Sequence, residues 1–177
     1  MLQPPPINGL QILSLPHFTD LRGSFTKAFH QDSLQERGID FTLRESYYSF
    51  SAKNVIRGMH FQTPPAQHAK IVFCPVGEIL DVVLDLRKTS PTYGQHFSQI
   101  LSAENHLALY IPEGCAHGFR ALTEGAMTFY LVSSIHNPEH DKGIRWDSFG
   151  FDWGVGNPVM SERDQAFSQM AAFSSPF

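Results

Sequence analysis

Cysteine is scarce in this chain: two residues, Cys74 and Cys115, stand among apolar neighbours with no CxxC spacing. That argues against a disulfide-stapled scaffold or a thiol-redox motif. It fits an intracellular protein with reduced thiols, although a bridge between the two stays open. Charge is also sparse, at 17% of residues with a formal net of −4. Without a basic excess there is no electrostatic footprint for nucleic acid, so an anionic ligand must be held by a few local cations. No apolar run approaches the roughly 18 residues that span a bilayer, so no membrane contact is expected. Met1-Leu2-Gln3-Pro4-Pro5-Pro6 has neither the basic region nor the apolar core of a signal peptide, and the cytoplasm is the expected location. Also missing are a glycine-rich strand–turn–helix for a dinucleotide and a G-x-S-x-G turn for acyl transfer.

What is present is a sizeable apolar fraction, 42% of 177 residues, enough for one domain with a real core. With no repeat and no linker, the expectation is a single domain over residues 1–177, ending in a tail over about 171–177, with Ser174–Phe177 loosely held. The prolines at 4 to 6 predict an extended leader. Short β-branched or aromatic runs predict strands at Leu10–Leu15, Phe25–Phe29, Phe41–Phe50, Val55–Phe61, Lys70–Cys74 and Glu78–Leu86. Further strands are predicted at Gln95–Leu101, Leu107–Ile111, Gly118–Leu122 and Met127–Ser133. Only two helices are predicted. Gln31–Arg37 has Asp32 or Ser33 as N-cap and Gly38 as stop, and Ser161–Met170 opens on Ser161 with Asp164 three residues on. Many short strands with two peripheral helices predict an all-β fold, a sandwich or jelly roll, and the absence of alternating helices excludes a parallel α/β sheet. Pro112-Glu113-Gly114-Cys115-Ala116-His117 has the P-x-G-x-x-H spacing of cupin jelly rolls, which sets a histidine in the barrel mouth.

The chemistry-bearing residues stand in apolar strands, where an unpaired cation is costly. Val55-Ile56-Arg57-Gly58-Met59-His60-Phe61-Gln62 and Ala69-Lys70-Ile71-Val72 place an arginine, a histidine and a lysine there. A metal centre is short of ligands. The H-x-H pair of metal cupins is broken after His60, and His68, beyond Pro64-Pro65, shares no obvious face with it. Each residue alone has a plain structural reading. A strand histidine can be a hydrogen-bonding core residue, Lys70 can snorkel, Tyr130 can be a core aromatic, and Asp81 and Asp85 can line a solvent face. Together, His60, Lys70, His117 and Tyr130 are groups that move protons or stabilise oxyanions.

In order along the chain stand Asp20-Leu21-Arg22-Gly23-Ser24-Phe25, Ile56-Arg57-Gly58-Met59-His60-Phe61-Gln62, Ala69-Lys70-Ile71-Val72 and Asp85-Leu86-Arg87. Ser90-Pro91-Thr92-Tyr93-Gly94, Ile111-Pro112-Glu113-Gly114-Cys115-Ala116-His117-Gly118-Phe119, Gly143-Ile144-Arg145-Trp146 and Ser161-Glu162-Arg163-Asp164 follow. With these motifs the chain resembles the dTDP-4-dehydrorhamnose 3,5-epimerase family from about Leu10 to about Asp164. The resemblance implies a metal-free, cofactor-free cupin jelly-roll barrel with short peripheral helices. It implies a homodimer with exchanged N-terminal segments. The substrate would be a nucleotide-diphosphate 4-keto-6-deoxy sugar, made for O-antigen or other surface polysaccharide. It further implies His60 as general base oriented by Asp164, Lys70 at the C4 oxygen, and Tyr130 as proton donor on the opposite face. His117 would touch the substrate, itself oriented by Asp81. Arg22 and Arg57 would meet the diphosphate, Phe25 the base, and Asp141 and Arg163 would add further contacts.

The chain departs from the family pattern at Lys27, usually a glutamate; at Glu45-Ser46-Tyr47-Tyr48-Ser49, usually Gln-x-Asn-x-Ser; and at His136, usually aromatic. These changes imply retained chemistry on an altered substrate, with CDP or GDP as carrier, or inversion at one carbon only. A C3-only epimerase or keto-sugar isomerase, a non-catalytic sugar-nucleotide-binding module and a metal-dependent oxygenase are the alternatives.

Overall fold

In the computed structural model, residues 5–177 are described; the start of the proline leader, residues 1–4, lies outside them. Twelve strands are found among the described residues: β1 (Gln11–Ser14), β2 (His17–Asp20), β3 (Gly23–Thr26), β4 (Glu45–Ser51), β5 (Ile56–Gln62) and β6 (Lys70–Val76) come first. They are followed by β7 (Glu78–Asp85), β8 (His96–Ser102), β9 (Leu107–Ile111), β10 (Cys115–Ala121), β11 (Ala126–Val132) and β12 (Asp141–Gly143). Two antiparallel five-stranded sheets, ordered β1-β9-β6-β11-β4 and β12-β5-β10-β7-β8, face each other as a jelly roll. The expected all-β cupin barrel is the fold observed. The strands alternate, so each sheet has an inner and an outer face. The shared interior holds Val72, Val83, Leu109, Phe119 and Val132. Each sheet also buries part of its outer face. Leu34, Ile39 and Phe41 cover the first sheet, and Trp146, Trp153 and Phe173 cover the second.

Several boundaries differ from expectation, each for a local reason. Phe41 belongs to the layer outside the first sheet, so β4 starts only at Glu45. The strand expected over Phe25–Phe29 is shifted to β3, which pairs with the unexpected β2 in a hairpin. β2 is short and polar and shows no alternation that would mark it. The first helix, α1 (Gln31–Gln35), is capped by His30, whose Nδ1 accepts from the Ser33 N–H at 3.3 Å, rather than by Asp32 or Ser33. Its chain turns away at Gly38, as expected, with φ +72°. The second, α2 (Glu162–Gln165), starts on the expected Ser161 cap but lasts only one turn. It stops short of Met170 because the following residues join the body of the barrel through the Ile144–Ser168 bridge.

The C-terminal residues 171–177 are not loosely held. The Ser175 hydroxyl donates to the Leu86 carbonyl, the Phe177 carbonyl accepts from the Lys88 N–H at 3.0 Å, and the Phe173 and Phe177 rings pack on Phe61. The half-buried Phe173 and Phe177 tie the tail down, each contributing less than the roughly 1.5–3 kcal/mol of a fully buried phenylalanine. Both cysteines are buried and unbridged. No helix among the described residues is long and apolar enough to cross a membrane.

Candidate active site

Inward-pointing residues of the two sheets meet at one end of the barrel. The first sheet contributes Lys70 from β6, Tyr130 from β11, and Glu45 and Tyr47 from β4. The second contributes His60 from β5, His117 from β10 and Asp81 from β7, with His60 and His117 direct cross-strand partners.

Gly58 makes the His60 site possible. Its φ is +140°, and a Cβ there would meet the Gly118 Cα at 2.5 Å, so only glycine fits. The Gly58 N–H donates to Asp164 Oδ2 at 3.0 Å, while His60 Nε2 bonds Asp164 Oδ1 at 2.9 Å. The capping Ser161 accepts from the Asp164 N–H at 3.1 Å and so fixes where the carboxylate starts. Burial would push the Asp164 carboxyl up, but the His60 ring, the Gly58 N–H and Ser161 outweigh it and hold the group below its ordinary value. Asp164 is therefore held as a carboxylate against the His60 ring. With Nε2 committed, Nδ1 is the nitrogen left for a ligand. The Phe167 ring stands edge-on to the imidazole at 5.7 Å.

The neighbouring pair behaves differently. His117 Nε2 bonds Asp81 Oδ2 at 2.7 Å, both side chains are buried, and Asp81 Oδ1 has no partner among the described residues. Burial raises the Asp81 carboxyl and lowers the His117 imidazole, so neither charge is favoured. Lys70 is buried beside them, its Nζ donating to the His60 carbonyl at 3.2 Å. Burial pulls its ammonium down to about 8 against the opposing pull of Asp141 and Asp81. It stays charged near neutrality.

A cavity of about 330 Å³ opens here, bordered by the expected residues His60, Lys70, Asp141 and Arg163. Asp141 Oδ2 joins Arg163 at 2.7 Å and His136 Nε2 at 3.2 Å. Glu45, Tyr47 and His136, three of the departures from the family pattern, all border the same cavity. Sequence reasoning missed His68, which also borders it and thus shares a cavity with His60 after all. Its Nδ1 meets Gln62 Nε2 at 3.0 Å, and burial beside Lys70 lowers its ring to about 3, leaving it neutral. The signal was available: His68 precedes Lys70 by two residues, the spacing that shares one face of an extended chain.

The other expected residues are more dispersed. Tyr130 points inward and is buried, with burial raising its phenol well above the ordinary value, yet it does not border the cavity. Arg57 borders an adjoining cavity of about 490 Å³ with His60 and Asp164, its guanidinium donating to Ser51 Oγ and the Phe50 carbonyl at 3.1 Å each. Arg22 and Phe25 are exposed on the β2–β3 hairpin, away from both cavities, with Arg22 paired to Asp20. Lys27 lies away as well, in a groove against α1 that also contains Arg37. Among the described residues no group of three or more His, Cys, Asp or Glu could hold a metal ion.

Comparison with known proteins gives a consistent result. The family model described as dTDP-4-dehydrorhamnose 3,5-epimerase matches residues 4–172. A dTDP-4-dehydrorhamnose 3,5-epimerase of Shigella flexneri is 40% identical over 152 residues, 83% of each chain. Among solved structures, a dTDP-6-deoxy-D-glucose-3,5-epimerase from Legionella pneumophila, in complex with dTDP-4-keto-L-rhamnose, superposes with a TM-score of 0.91. It is 33% identical, over 96% of this chain and 92% of that one. A 3'-monoepimerase from Streptomyces bikiniensis, in complex with dTDP-quinovose, gives 0.89 at 30% identity, over 96% of this chain and 88% of that one.

Proposed function

This chain belongs to the dTDP-4-dehydrorhamnose 3,5-epimerase family, as an isomerase acting on carbohydrates, and we propose that it epimerises a nucleotide-linked 4-keto-6-deoxyhexose by proton transfer next to the ketone, without a cofactor. The observation that carries this reading is the His60–Asp164 hydrogen bond, with His60 at the edge of a cavity that Lys70 also borders.

The C4 ketone makes hydrogens on the adjacent carbons removable, because the electron pair left behind spreads onto oxygen as an enolate. A free imidazole, with a pKa of ~6.5, is still far too weak a base for that step alone. Two features close the gap. Asp164 stabilises the imidazolium that forms when His60 Nδ1 takes the proton. The Lys70 ammonium stabilises the oxygen as it becomes negative, where one preorganised donor contributes ~3–4 kcal/mol. Returning the proton through His60 would restore the starting configuration. Inversion therefore needs an acid on the other face, and in this reading Tyr130, on β11 of the first sheet, supplies it. The ketone is the electron sink, so the electron count closes within the substrate.

Arg57 and Arg22 are the diphosphate contacts in this reading, and Phe25 meets the base. dTDP is the favoured carrier, because the relatives solved with ligands hold dTDP compounds. Arg22 and Phe25 cannot serve their own chain's cavity from the hairpin, so we assign them to the site of a second copy in a homodimer. An aromatic row on the outer face of the first sheet, running from exposed Tyr48 through half-buried Phe129 to buried Phe73, suits that contact at its Tyr48 end. Mixing Arg22→Ala and His60→Asn chains tests it: a shared site restores about a quarter of wild-type turnover, while sites complete within one chain restore none.

The decisive measurement is deuterium uptake by mass from D2O into dTDP-, CDP- and GDP-linked 4-keto-6-deoxyhexoses. A gain of two marks exchange at C3 and C5, and a gain of one marks a single carbon. No gain with any carrier overturns the reading.

A further inference from the structure

A hydrogen bond to Nε2 fixes one atom of the His60 ring but not its plane, because the torsion between an imidazole and its Cβ has broad wells. What stands beside the ring therefore matters. His60 has a cross-strand neighbour on each side, His117 on β10 and Gly143 on β12. Gly143 offers no side chain, so the β12 side of His60 has a vacant slot. Phe167 fills it. A Cβ at Gly143 would overlap the Phe167 ring, whose atoms are the three nearest to that position. The Phe167 ring meets the imidazole edge-on, with centroids 5.7 Å apart and planes 81° apart. The Arg163 guanidinium lies over the same phenylalanine, 5.3 Å from its centroid.

The backbone of Phe167 is tied on both sides. Before it, the Ala166 N–H donates to the Glu162 and Arg163 carbonyls at 3.1 Å each, closing α2. After it, Ser168 bridges Ile144 and accepts from the Arg145 N–H at 2.9 Å. Phe167 borders neither of the two cavities that His60 borders. Its ring acts on the imidazole and not on a ligand.

We propose that Phe167, seated on Gly143, is a positioning residue that holds the plane of the His60 ring and so keeps Nδ1 aimed at the substrate carbon. This rests on the epimerase reading of the His60 cavity. Asp164 anchors one nitrogen, and Phe167 stops the ring from turning about that anchor. Gly143 is the partner residue, since any side chain there would push the phenylalanine off the imidazole.

The test compares wild type with Phe167→Ala, Phe167→Tyr, Gly143→Ala and the Gly143→Ala/Phe167→Ala double variant. Deuterium exchange is measured in D2O on the nucleotide-linked 4-keto-6-deoxyhexose that wild type turns over. A base displaced by a fraction of its reach loses rate rather than affinity. Phe167→Ala should lower kcat about 10- to 100-fold with KM within about threefold, and Phe167→Tyr, which keeps the ring, should recover kcat to within about threefold of wild type. Gly143→Ala should lower kcat as Phe167→Ala does, although Phe167 is still present. The double variant should be no slower than either single one, because the methyl then meets no ring. Unchanged kcat in Phe167→Ala, with only the melting temperature lowered, would mark a structural role and overturn the proposal. A raised KM at full kcat would mark a binding role and overturn it equally. A second readout needs no turnover. The His60 ring resonances, assigned with His60→Asn, should form one narrow set in wild type and broaden or double in Phe167→Ala; equally narrow lines in both also overturn it. If wild type exchanges deuterium with no carrier, the epimerase reading fails, while the ring resonances still decide whether Phe167 holds the imidazole.

Discussion

His60 and His117 face each other across the β5–β10 ladder, and each bonds an aspartate, yet the two pairs are chemically unlike. At His60 the ring is partly open to the cavity, and its aspartate receives a backbone N–H as well as the imidazole. At His117 both partners are sealed, and one aspartate oxygen has no donor among the described residues. The first environment holds a carboxylate charged, and the second drives acid and imidazole toward neutrality. Adjacency to an aspartate therefore does not make a histidine a base. The donors on the far side of that aspartate, and the water available to the ring, decide it.

The strongest way to break this contrast is substitution of the histidines. His60→Asn should lower deuterium exchange into substrate by about 10²–10⁴-fold, the range of a lost general base. His117→Asn should leave exchange measurable and act mainly on KM, as a lost binding contact does. Equal losses in kcat would erase the distinction. Next in size is the pH dependence contributed by Lys70. Activity needs its ammonium, so kcat/KM should fall as pH rises through about 8. Stability should move the other way. The folded group sits at about 8 against an ordinary value of 10.5, so between those values the unfolded chain binds more protons and stability rises with pH. Thermal melts and rates across that window check both signs, and Lys70→Arg should shift the falling limb of the rate upward. The smallest effect separates the two acids. Asp164→Asn should cost about 1–3 kcal/mol in urea unfolding, because a charged acceptor of several bonds is lost. Asp81→Asn should stay within about 1 kcal/mol, since it replaces a group already pushed toward neutrality.

Much of this site was legible from strand alternation. Lys70, Asp81, His117 and Tyr130 stand on the inner faces of their strands because apolar residues alternate with them. Ser161 and Asp164 were legible through capping chemistry, which survived even though their helix is only one turn long. What escaped depends on pairing between strands. Tyr47 stacks on Tyr130 only because β4 and β11 meet in one particular register, and no local pattern states which residues of two strands come opposite each other. His68 escaped because a proline-rich bend hides the periodicity between it and His60. Strand β2 escaped because, among the described residues, it pairs with β3 alone and carries no hydrophobic alternation.

The contact between the Gly58 amide and Asp164 has a practical side. The proton on that nitrogen is covered only while the turn carrying Asp164 is docked against β5. Its exchange with solvent thus clocks how often the base loses its orienting carboxylate. One backbone resonance, followed in a spectrum of unmodified protein, would report the assembly of the site without substrate, label or mutation.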